Sequence, residues 1–185
     1  LAESNRLDAA IVANKVDLDG AAAGVFRVYE EVGYPVLYTS ANTGEGVDGV
    51  RALLNGRLSV LAGPSGVGKS SLLNAMQPGL SLRIGDVSDA VNKGRHTTVS
   101  STLIPLDGGG YVADTPGLRE LGLWGVDPAE LDACFPEMRP WLGSCQFRSC
   151  THTHEPGCAV RAAVEAGDIP GARYESYAAL LEGDD

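Results

Sequence analysis

The sequence predicts an α/β fold followed by a small cysteine-bearing region. Up to about residue 124, short apolar segments alternate with segments of helical spacing, the pattern of a parallel sheet with right-handed helical crossovers. A glycine-rich loop, Gly63–Ser70, stands between one predicted strand and the next predicted helix. Beyond Leu121, prolines and clustered cysteines replace the alternation. We therefore predict two domains, at residues 1–124 and 125–185.

The secondary-structure elements are predicted from apolar runs, helical periodicity and turn residues such as Gly33, which ends the first helix. The predicted strands are residues 7–13, 35–39, 58–62, 101–106 and 111–113, the last two paired around the turn at residues 108–110. The predicted helices are residues 20–32, 46–54, 69–76, 159–166 and 171–182.

Composition and charge limit the classes of function. The chain has 185 residues and a net charge of −10, so it is not a general nucleic-acid binder, which needs many Lys and Arg. We expect no signal peptide, and the sequence has no apolar run of the roughly 18 residues that cross a bilayer. We expect a cytoplasmic monomer with no membrane partner. Because the chain opens at Leu1 without a Met, we also expect that a preceding domain is absent.

The loop Gly63–Ser70 fits the pattern G-x-x-x-x-G-K-[ST] at every required position, between a strand and a helix. Its glycines let backbone N–H groups converge on phosphate oxygens at a helix N-terminus. Lys69 is predicted to reach the β- and γ-phosphates as a catalytic group, and Ser70 to bind Mg²⁺. The predicted phosphate-binding residues are Gly63, Pro64, Ser65, Gly66, Val67, Gly68, Lys69, Ser70 and Ser71.

Two motifs at the ends of successive strands indicate guanine rather than adenine. In Asn14-Lys15-Val16-Asp17, the Asp17 carboxylate can accept from N1–H and the exocyclic amine of guanine, a donor pair that adenine lacks. In GTPases with N-K-x-D, the Asn supports the loop and the Lys stem packs on the base. Ser40-Ala41 follows the next strand, where the Ala41 N–H would face guanine O6. These residues argue against the alternative of an ATP-dependent kinase or transporter-type ATPase.

A second phosphate-sensing motif follows a later strand. Asp114-Thr115-Pro116-Gly117 fits D-x-x-G, in which Asp114 would hold Mg²⁺ through water and the Gly117 N–H would contact the γ-phosphate. Upstream, either Thr97 or Thr98 could bind Mg²⁺ in a switch loop, and we assign Thr98.

The residue that positions the attacking water is less directly indicated. Ordinary small GTPases place a Gln just after D-x-x-G for this role, but Leu118 stands there and cannot perform it. His96 is the nearest polar candidate and our predicted catalytic residue, although a solvated loop histidine is an equal alternative.

A cluster of cysteines near the C-terminal end predicts a metal site. Cys145, Cys150, His152 and Cys158 supply three thiolates and one imidazole, a set that suits tetrahedral Zn²⁺ and leaves no open position. The site would therefore be structural and would supply folding energy to a small segment. His154 is a rival for His152, and unliganded thiols are the other alternative.

The order of these motifs is reversed from that of ordinary GTPases, because N-K-x-D and Ser-Ala precede the phosphate loop, the switch threonines and D-x-x-G. With the Gly-Arg-His-Thr-Thr stretch at residues 94–98 and the cysteine cluster, the chain resembles the ribosome small-subunit-dependent GTPase A family. This resemblance implies a circularly permuted P-loop GTPase fold followed by a small helical zinc-binding domain.

The resemblance also implies a function, partners and cofactors. It implies binding and hydrolysis of GTP to GDP with Mg²⁺, one structural zinc, and a role in late maturation of the small (30S) ribosomal subunit and its rRNA. Family members carry an N-terminal OB-fold domain, which we expect to be the preceding domain absent here. The alternative is a zinc-containing RNA-binding or ribosome-binding module in which GTP is a conformational gate with negligible turnover.

Overall fold

The computed structural model describes residues 1–18, 22–80, 102–114 and 126–183 of the chain. The strands are β1 Ile11–Asn14, β2 Val36–Thr39, β3 Leu58–Val60, β4 Thr102–Pro105 and β5 Tyr111–Asp114. The helices are α1 Ala22–Glu31, α2 Val47–Leu54, α3 Lys69–Met76, α4 Ala159–Ala166 and α5 Gly171–Glu182. Three short 3₁₀ helices, Pro128–Glu130, Asp132–Cys134 and Pro136–Trp141, were not predicted from the sequence.

The strands confirm the predicted α/β class. Strand β1 pairs with β2 in parallel, and β3 pairs with β5 in parallel. Strand β4 pairs antiparallel with β5, as the glycine turn between them predicted. The described strands form two sheets, one of order β1-β2 and one of order β3-β5-β4.

One hydrophobic core lies between α2, α3 and the three-stranded sheet. Helix α2 places Val47, Val50 and Leu54 on one face because these positions are three and four residues apart. Ile104 and Val112 alternate with outward-facing residues along their strands and reach the same core. The buried residues of this core are Val47, Val50, Leu54, Leu72, Leu73, Met76, Ile104 and Val112.

The opposite face of the three-stranded sheet is more open. Leu58, Leu103 and Tyr111 lie on this face and are exposed over 71%, 54% and 50% of their surface. In the register of the sheet, Leu58 is the partner of Tyr111 on the neighbouring strand. These strands are therefore half-buried, with one apolar face packed against helices and one apolar face uncovered by the described residues.

A second core lies in the C-terminal segment and packs around Tyr177 of α5. The ring of Phe135 meets that of Tyr177 edge-on, with centroids 5.4 Å apart and an interplanar angle of 87°. The buried residues of this core are Leu131, Phe135, Met138, Cys158, Val160, Ala163, Ile169 and Tyr177.

The chain divides into two compact units that do not follow a single cut in the sequence. One unit comprises Ile11–Phe26 and Val36–Leu121, and the other comprises Leu1–Ala10, Arg27–Pro35 and Gly122–Asp185. In the second unit, Glu3 accepts hydrogen bonds from Tyr34 Oη over 2.8 Å and from Arg139 Nη2 over 2.5 Å. The bond from Arg139 connects Glu3, near the start of the chain, to the C-terminal segment. The boundary between residues 124 and 125 stays a prediction.

Candidate nucleotide cleft and metal centre

The glycine-rich loop leaves the end of β3 and leads into α3, whose first residue is Lys69. Gly63, Gly66 and Gly68 have φ values of 143°, 80° and 96°, a region that residues with side chains rarely adopt. A Cβ on Gly68 would lie 2.4 Å from Asn14 Nδ2, so this position also needs the small residue for space. The loop can thus turn its backbone N–H groups toward a phosphate at the N-terminus of α3.

The first turn of α3 carries the polar side chains predicted to bind phosphate and Mg²⁺. Lys69 Nζ donates to the carbonyls of Gly63 and Pro64 over 2.5 and 2.9 Å. Ser70 is the second residue of α3, and Ser71 lines the same cleft as Gly68. The ammonium group is therefore held beside the loop that the sequence assigned to phosphate.

Asn14, at the end of β1, joins the predicted base-binding segments to the phosphate loop. Its Nδ2 donates to the carbonyl of Val67 over 3.0 Å. Its Oδ1 accepts from the Ala41 N–H over 3.1 Å and from Thr39 Oγ1 over 3.2 Å. The expected contact of the Ala41 N–H with guanine O6 stays a prediction, since in this structure that N–H donates to Asn14.

Lys15 makes a second connection to the phosphate loop. Its Nζ donates to the Gly66 carbonyl over 2.7 Å. Its backbone has a φ of 71°, an uncommon value for a residue with a side chain, and such conformations concentrate at functional sites. The next residue, Val16, donates its N–H to the Thr39 carbonyl over 3.1 Å, which fixes this turn against the end of β2.

Asp17 is exposed, so its carboxylate is accessible to hydrogen-bond donors. A hydrogen bond from the Ser40 side chain is the largest cause that lowers the pKa of the Asp17 carboxyl below its ordinary value. Asn42 Nδ2 lies 3.4 Å from Asp17 Oδ2 and also donates to it. Ser40 itself is fully buried, so it holds the carboxylate from a fixed position. Asp17 is thus ionised at neutral pH, as recognition of two guanine donors requires.

Residues from the predicted base-binding and phosphate-binding segments line one cleft of about 270 Å³. This volume is close to the lower end of the range for small-ligand sites, which begins at about 300 Å³. Sequence reasoning missed two residues of this cleft, Leu18 and Asn42. Both directly follow a recognised motif, so their adjacency to Asp17 and Ala41 was the available signal. The lining residues are Asn14, Lys15, Asp17, Leu18, Ala41, Asn42, Gly68 and Ser71.

The predicted γ-phosphate residues are placed only in part. Asp114 ends β5, and the preceding Ala113 pairs with Val60 of β3. Its backbone therefore lies at the sheet edge from which the phosphate loop leaves. His96, Thr97, Thr98, Gly117 and Leu118 lie outside the described residues, and their roles stay predictions.

The predicted metal ligands come together. The ligand atoms of Cys145, Cys150, His152 and Cys158 all lie within 4.8 Å of one another. Cys145 Sγ and Cys158 Sγ are 3.9 Å apart, and His152 Nδ1 lies 3.5 and 3.4 Å from these two sulfurs. A tetrahedral zinc with Zn–S bonds of about 2.3 Å would place two thiolates about 3.8 Å apart. The cluster therefore has the dimensions of a Cys₃His zinc site.

Burial and position distinguish His152 from its predicted rival, His154. His152 is 3% exposed and its Nδ1 faces the sulfurs. His154 is exposed and its Nδ1 is bonded to Thr153 Oγ1 over 2.9 Å. Among the residues that the structure describes, His152 is the histidine that the cluster contains.

The charge of the cluster also favours a cation. Burial acts to raise the pKa of the Cys145 thiol, but hydrogen bonds from the N–H groups of Ala159 and Val160 and from the neighbouring thiols bring that pKa below its ordinary value. Burial, together with the neighbouring Cys158 and Cys145 thiols, raises the pKa of Cys150 to about 12. A cation bound in the cluster would stabilise the thiolate form of its cysteine ligands.

Comparison with known proteins identifies the family of the chain. The model of the family described as RsgA GTPase matches residues 1–124. The chain belongs to the RsgA GTPase family. The small ribosomal subunit biogenesis GTPase RsgA of Gemmatimonas aurantiaca is 58% identical over 184 residues, which are 98% of this chain and 60% of that protein.

Two solved structures share the fold of this RsgA-family chain. YjeQ from Thermotoga maritima has a TM-score of 0.81 at 40% identity, over 98% of this chain and 62% of that one. YloQ, described as a circularly permuted GTPase, has a TM-score of 0.76 at 34% identity, over 98% of this chain and 58% of that one. This chain thus spans less than two thirds of the length of these relatives.

The family and the structures confirm the predicted circular permutation. In the RsgA-family chain, β1 and β2 carry the base-binding motifs and precede β3, which leads into the phosphate loop. The bonds from Asn14 and Lys15 to that loop bring the motifs together despite their reversed order. Among the described helices, none has the length and apolar character needed to cross a membrane.

Proposed function

We propose that this RsgA-family chain binds GTP in the described cleft and hydrolyses it. The guanine would lie against the segment Asn14–Asp17 and Ala41, and the phosphates would lie over Gly63–Ser70. The observation that carries this proposal is the bond from Asn14 Nδ2 to the Val67 carbonyl. Because of this bond, the base-reading carboxylate and the phosphate loop border one cleft rather than two separate sites.

The chemistry follows from the groups around the cleft. Loop N–H groups and the N-terminus of α3 would bind phosphate oxygens, because both present positive partial charge. Lys69 Nζ, bonded here to two loop carbonyls, would exchange those bonds for β- and γ-phosphate oxygens. Ser70 would hold Mg²⁺, which neutralises charge that develops during phosphoryl transfer. Asp17 would select guanine by accepting from its two donors.

The name of the Gemmatimonas aurantiaca relative, a small ribosomal subunit biogenesis GTPase, supports the corresponding partner for this chain. We infer that the small ribosomal subunit binds it and stimulates GTP turnover during subunit maturation. We place this activity in the cytoplasm, where ribosomal subunits mature in bacteria.

A structural zinc belongs to the same proposal. Cys145, Cys150, His152 and Cys158 would hold one zinc ion, supported by the tetrahedral spacing of their ligand atoms. A site with four protein ligands leaves no position for a substrate, so this zinc would stabilise the C-terminal core rather than take part in hydrolysis.

Nucleotide binding and phosphate release test the proposal. Fluorescent GTP and ATP analogues should show clear preference for guanine, and purified small subunits should raise the rate of phosphate release from GTP. Lys69→Ala should abolish the stimulated release while zinc content stays at one ion per chain. Preference for ATP would overturn the assignment of the cleft. Tight GTP binding without stimulated release would favour GTP as a conformational gate.

A further inference from the structure

The imidazole of His152 is held between the cysteine cluster and a carboxylate. Its Nδ1 lies 3.4 Å from Cys158 Sγ, and its Nε2 lies 3.2 Å from Asp132 Oδ2. An ionised carboxylate can only accept, so the proton of a neutral imidazole in this bond is on Nε2. The lone pair is then on Nδ1, the nitrogen that faces the sulfurs.

Asp132 is itself fixed in place. It begins the 3₁₀ helix Asp132–Cys134, and its Oδ1 accepts from the N–H of Ala133 over 2.6 Å. The flanking Leu131 and Phe135 are 3% and 5% exposed and belong to the C-terminal core. The carboxylate therefore approaches the imidazole from a segment that the core anchors, rather than from a free loop.

Two tyrosine hydroxyls hold the backbone at and beside His152. Tyr174 Oη donates to the His152 carbonyl over 2.8 Å, and Tyr177 Oη donates to the Thr151 carbonyl over 2.9 Å. The His152 backbone has a φ of 63°, so these bonds support an uncommon conformation. Within the described part of the chain, Asp132 is the residue whose side chain bonds the ring nitrogen that faces away from the cluster.

We propose that Asp132 is a positioning residue of the metal site, which fixes the tautomer and the orientation of His152 without contacting the ion. A carboxylate that accepts from the second nitrogen of a ligating histidine makes the first nitrogen a better ligand, and its loss typically weakens metal affinity about 10- to 100-fold. This inference rests on the proposal that the Cys₃His cluster binds zinc.

Three variants of the full chain test the role of Asp132. Asp132→Ala removes the acceptor, and Asp132→Asn keeps an acceptor oxygen but loses the charge. Glu130→Ala is the matched control, because it removes an exposed carboxylate two residues away on the preceding 3₁₀ helix. Zinc affinity is measured by competition with a chromophoric chelator, and the ligand field is read from the absorption spectrum of the Co²⁺-substituted chain.

We expect Asp132→Ala to weaken zinc binding about 10- to 100-fold and to change the Co²⁺ spectrum. Asp132→Asn should keep a spectrum close to that of the unmodified chain, with an intermediate affinity, and Glu130→Ala should match the unmodified chain in both. Equal zinc affinity and an identical spectrum for Asp132→Ala and Glu130→Ala would overturn the positioning role of Asp132 but leave the zinc assignment intact. Failure of the unmodified chain to bind zinc would instead overturn the zinc assignment.

Discussion

Asn14 Nδ2 donates a hydrogen bond of 3.0 Å to the carbonyl of Val67, a residue 53 positions further along the chain. The same side chain accepts from the N–H of Ala41 through its Oδ1. One amide group therefore joins the base motif, the Ser-Ala motif and the phosphate loop. Asn14 therefore connects the predicted base-binding and phosphate-binding segments, alongside the bond from Lys15 to Gly66, and is the natural first target for substitution.

Asn14→Ala should weaken binding of GTP and GDP alike, because both nucleotides need the base motif and the phosphate loop in register. Loss of two or three hydrogen bonds at about 1 kcal/mol each predicts a decrease in affinity of roughly 30- to 140-fold. Titration with a fluorescent guanine nucleotide measures it. Asn5→Ala is the control, since Asn5 is exposed and bonds only Leu1 and Ser4 in the described hydrogen bonds. Equal affinities for the two variants would contradict the joining role of Asn14.

Gly68→Ala should impair nucleotide binding more than an ordinary glycine substitution does. Its φ of 96° disfavours any side chain, and its added Cβ would lie 2.4 Å from Asn14 Nδ2. Gly66→Ala provides the comparison, because Gly66 lies in the same loop and has a similar φ of 80° with open space around its Cβ. Both variants strain the backbone of this loop, so a larger loss of nucleotide affinity in Gly68→Ala is attributed to the contact with Asn14. A Gly66→Ala defect as large as that of Gly68→Ala would show that strain alone explains the effect.

Much of the nucleotide site was predictable from the sequence, because its motifs are contiguous. The phosphate loop Gly63–Ser70 and the base motif Asn14–Asp17 each lie between elements that periodicity detects. The bond between Asn14 and Val67 was not predictable, since local patterns carry no information about which distant carbonyl a side-chain amide meets. Asn42 was missed for a similar reason, because its role comes from its contact with Asp17 rather than from its residue type.

The C-terminal segment shows a second limit of sequence reasoning. The four predicted metal ligands were recognisable from residue type and spacing, and the structure brings them together. The carboxylate beside His152 could not be found in this way, because Asp132 lies 20 positions upstream in a proline-rich stretch without periodicity. The packing of Glu3 against Arg139, 136 positions apart, likewise depends on tertiary structure alone.

Removal of one partner of the buried ion pair between Arg173 and Glu137 should strongly destabilise the unit that contains the C-terminal segment. Arg173 Nε donates to Glu137 Oε1 over 2.6 Å, and their side chains are 13% and 5% exposed. Arg173 also lies 4.6 Å from the centroid of the Phe135 ring. Because Glu137→Ala leaves the arginine charge buried without its partner, we expect a loss of about 3 kcal/mol in the free energy of unfolding.

Denaturant unfolding of the zinc-loaded chain measures the effect of Glu137→Ala. The matched control is Glu31→Ala, which breaks the Arg27–Glu31 pair on α1, whose side chains are 76% and 56% exposed. Solvent and salt screen such a pair, so its loss should cost less than about 0.5 kcal/mol. Similar losses for the two variants would contradict the importance of burial at Glu137.

Asp17→Asn should change which base the cleft prefers. The carboxylate of Asp17 would accept from two guanine donors, whereas an amide offers one acceptor and one donor, and its NH₂ would face the guanine amine. Xanthine carries an oxygen in place of that amine and matches the amide. We expect GTP affinity to fall roughly 10- to 100-fold, by loss of a bond to a charged group worth about 1.5–3 kcal/mol, and XTP affinity to rise.

Competition between GTP and XTP for a fluorescent nucleotide measures both changes. Asp48→Asn is the control, since it makes the same charge change on a side chain that is 91% exposed. A variant that still prefers GTP to XTP would show that Asp17 does not read the base.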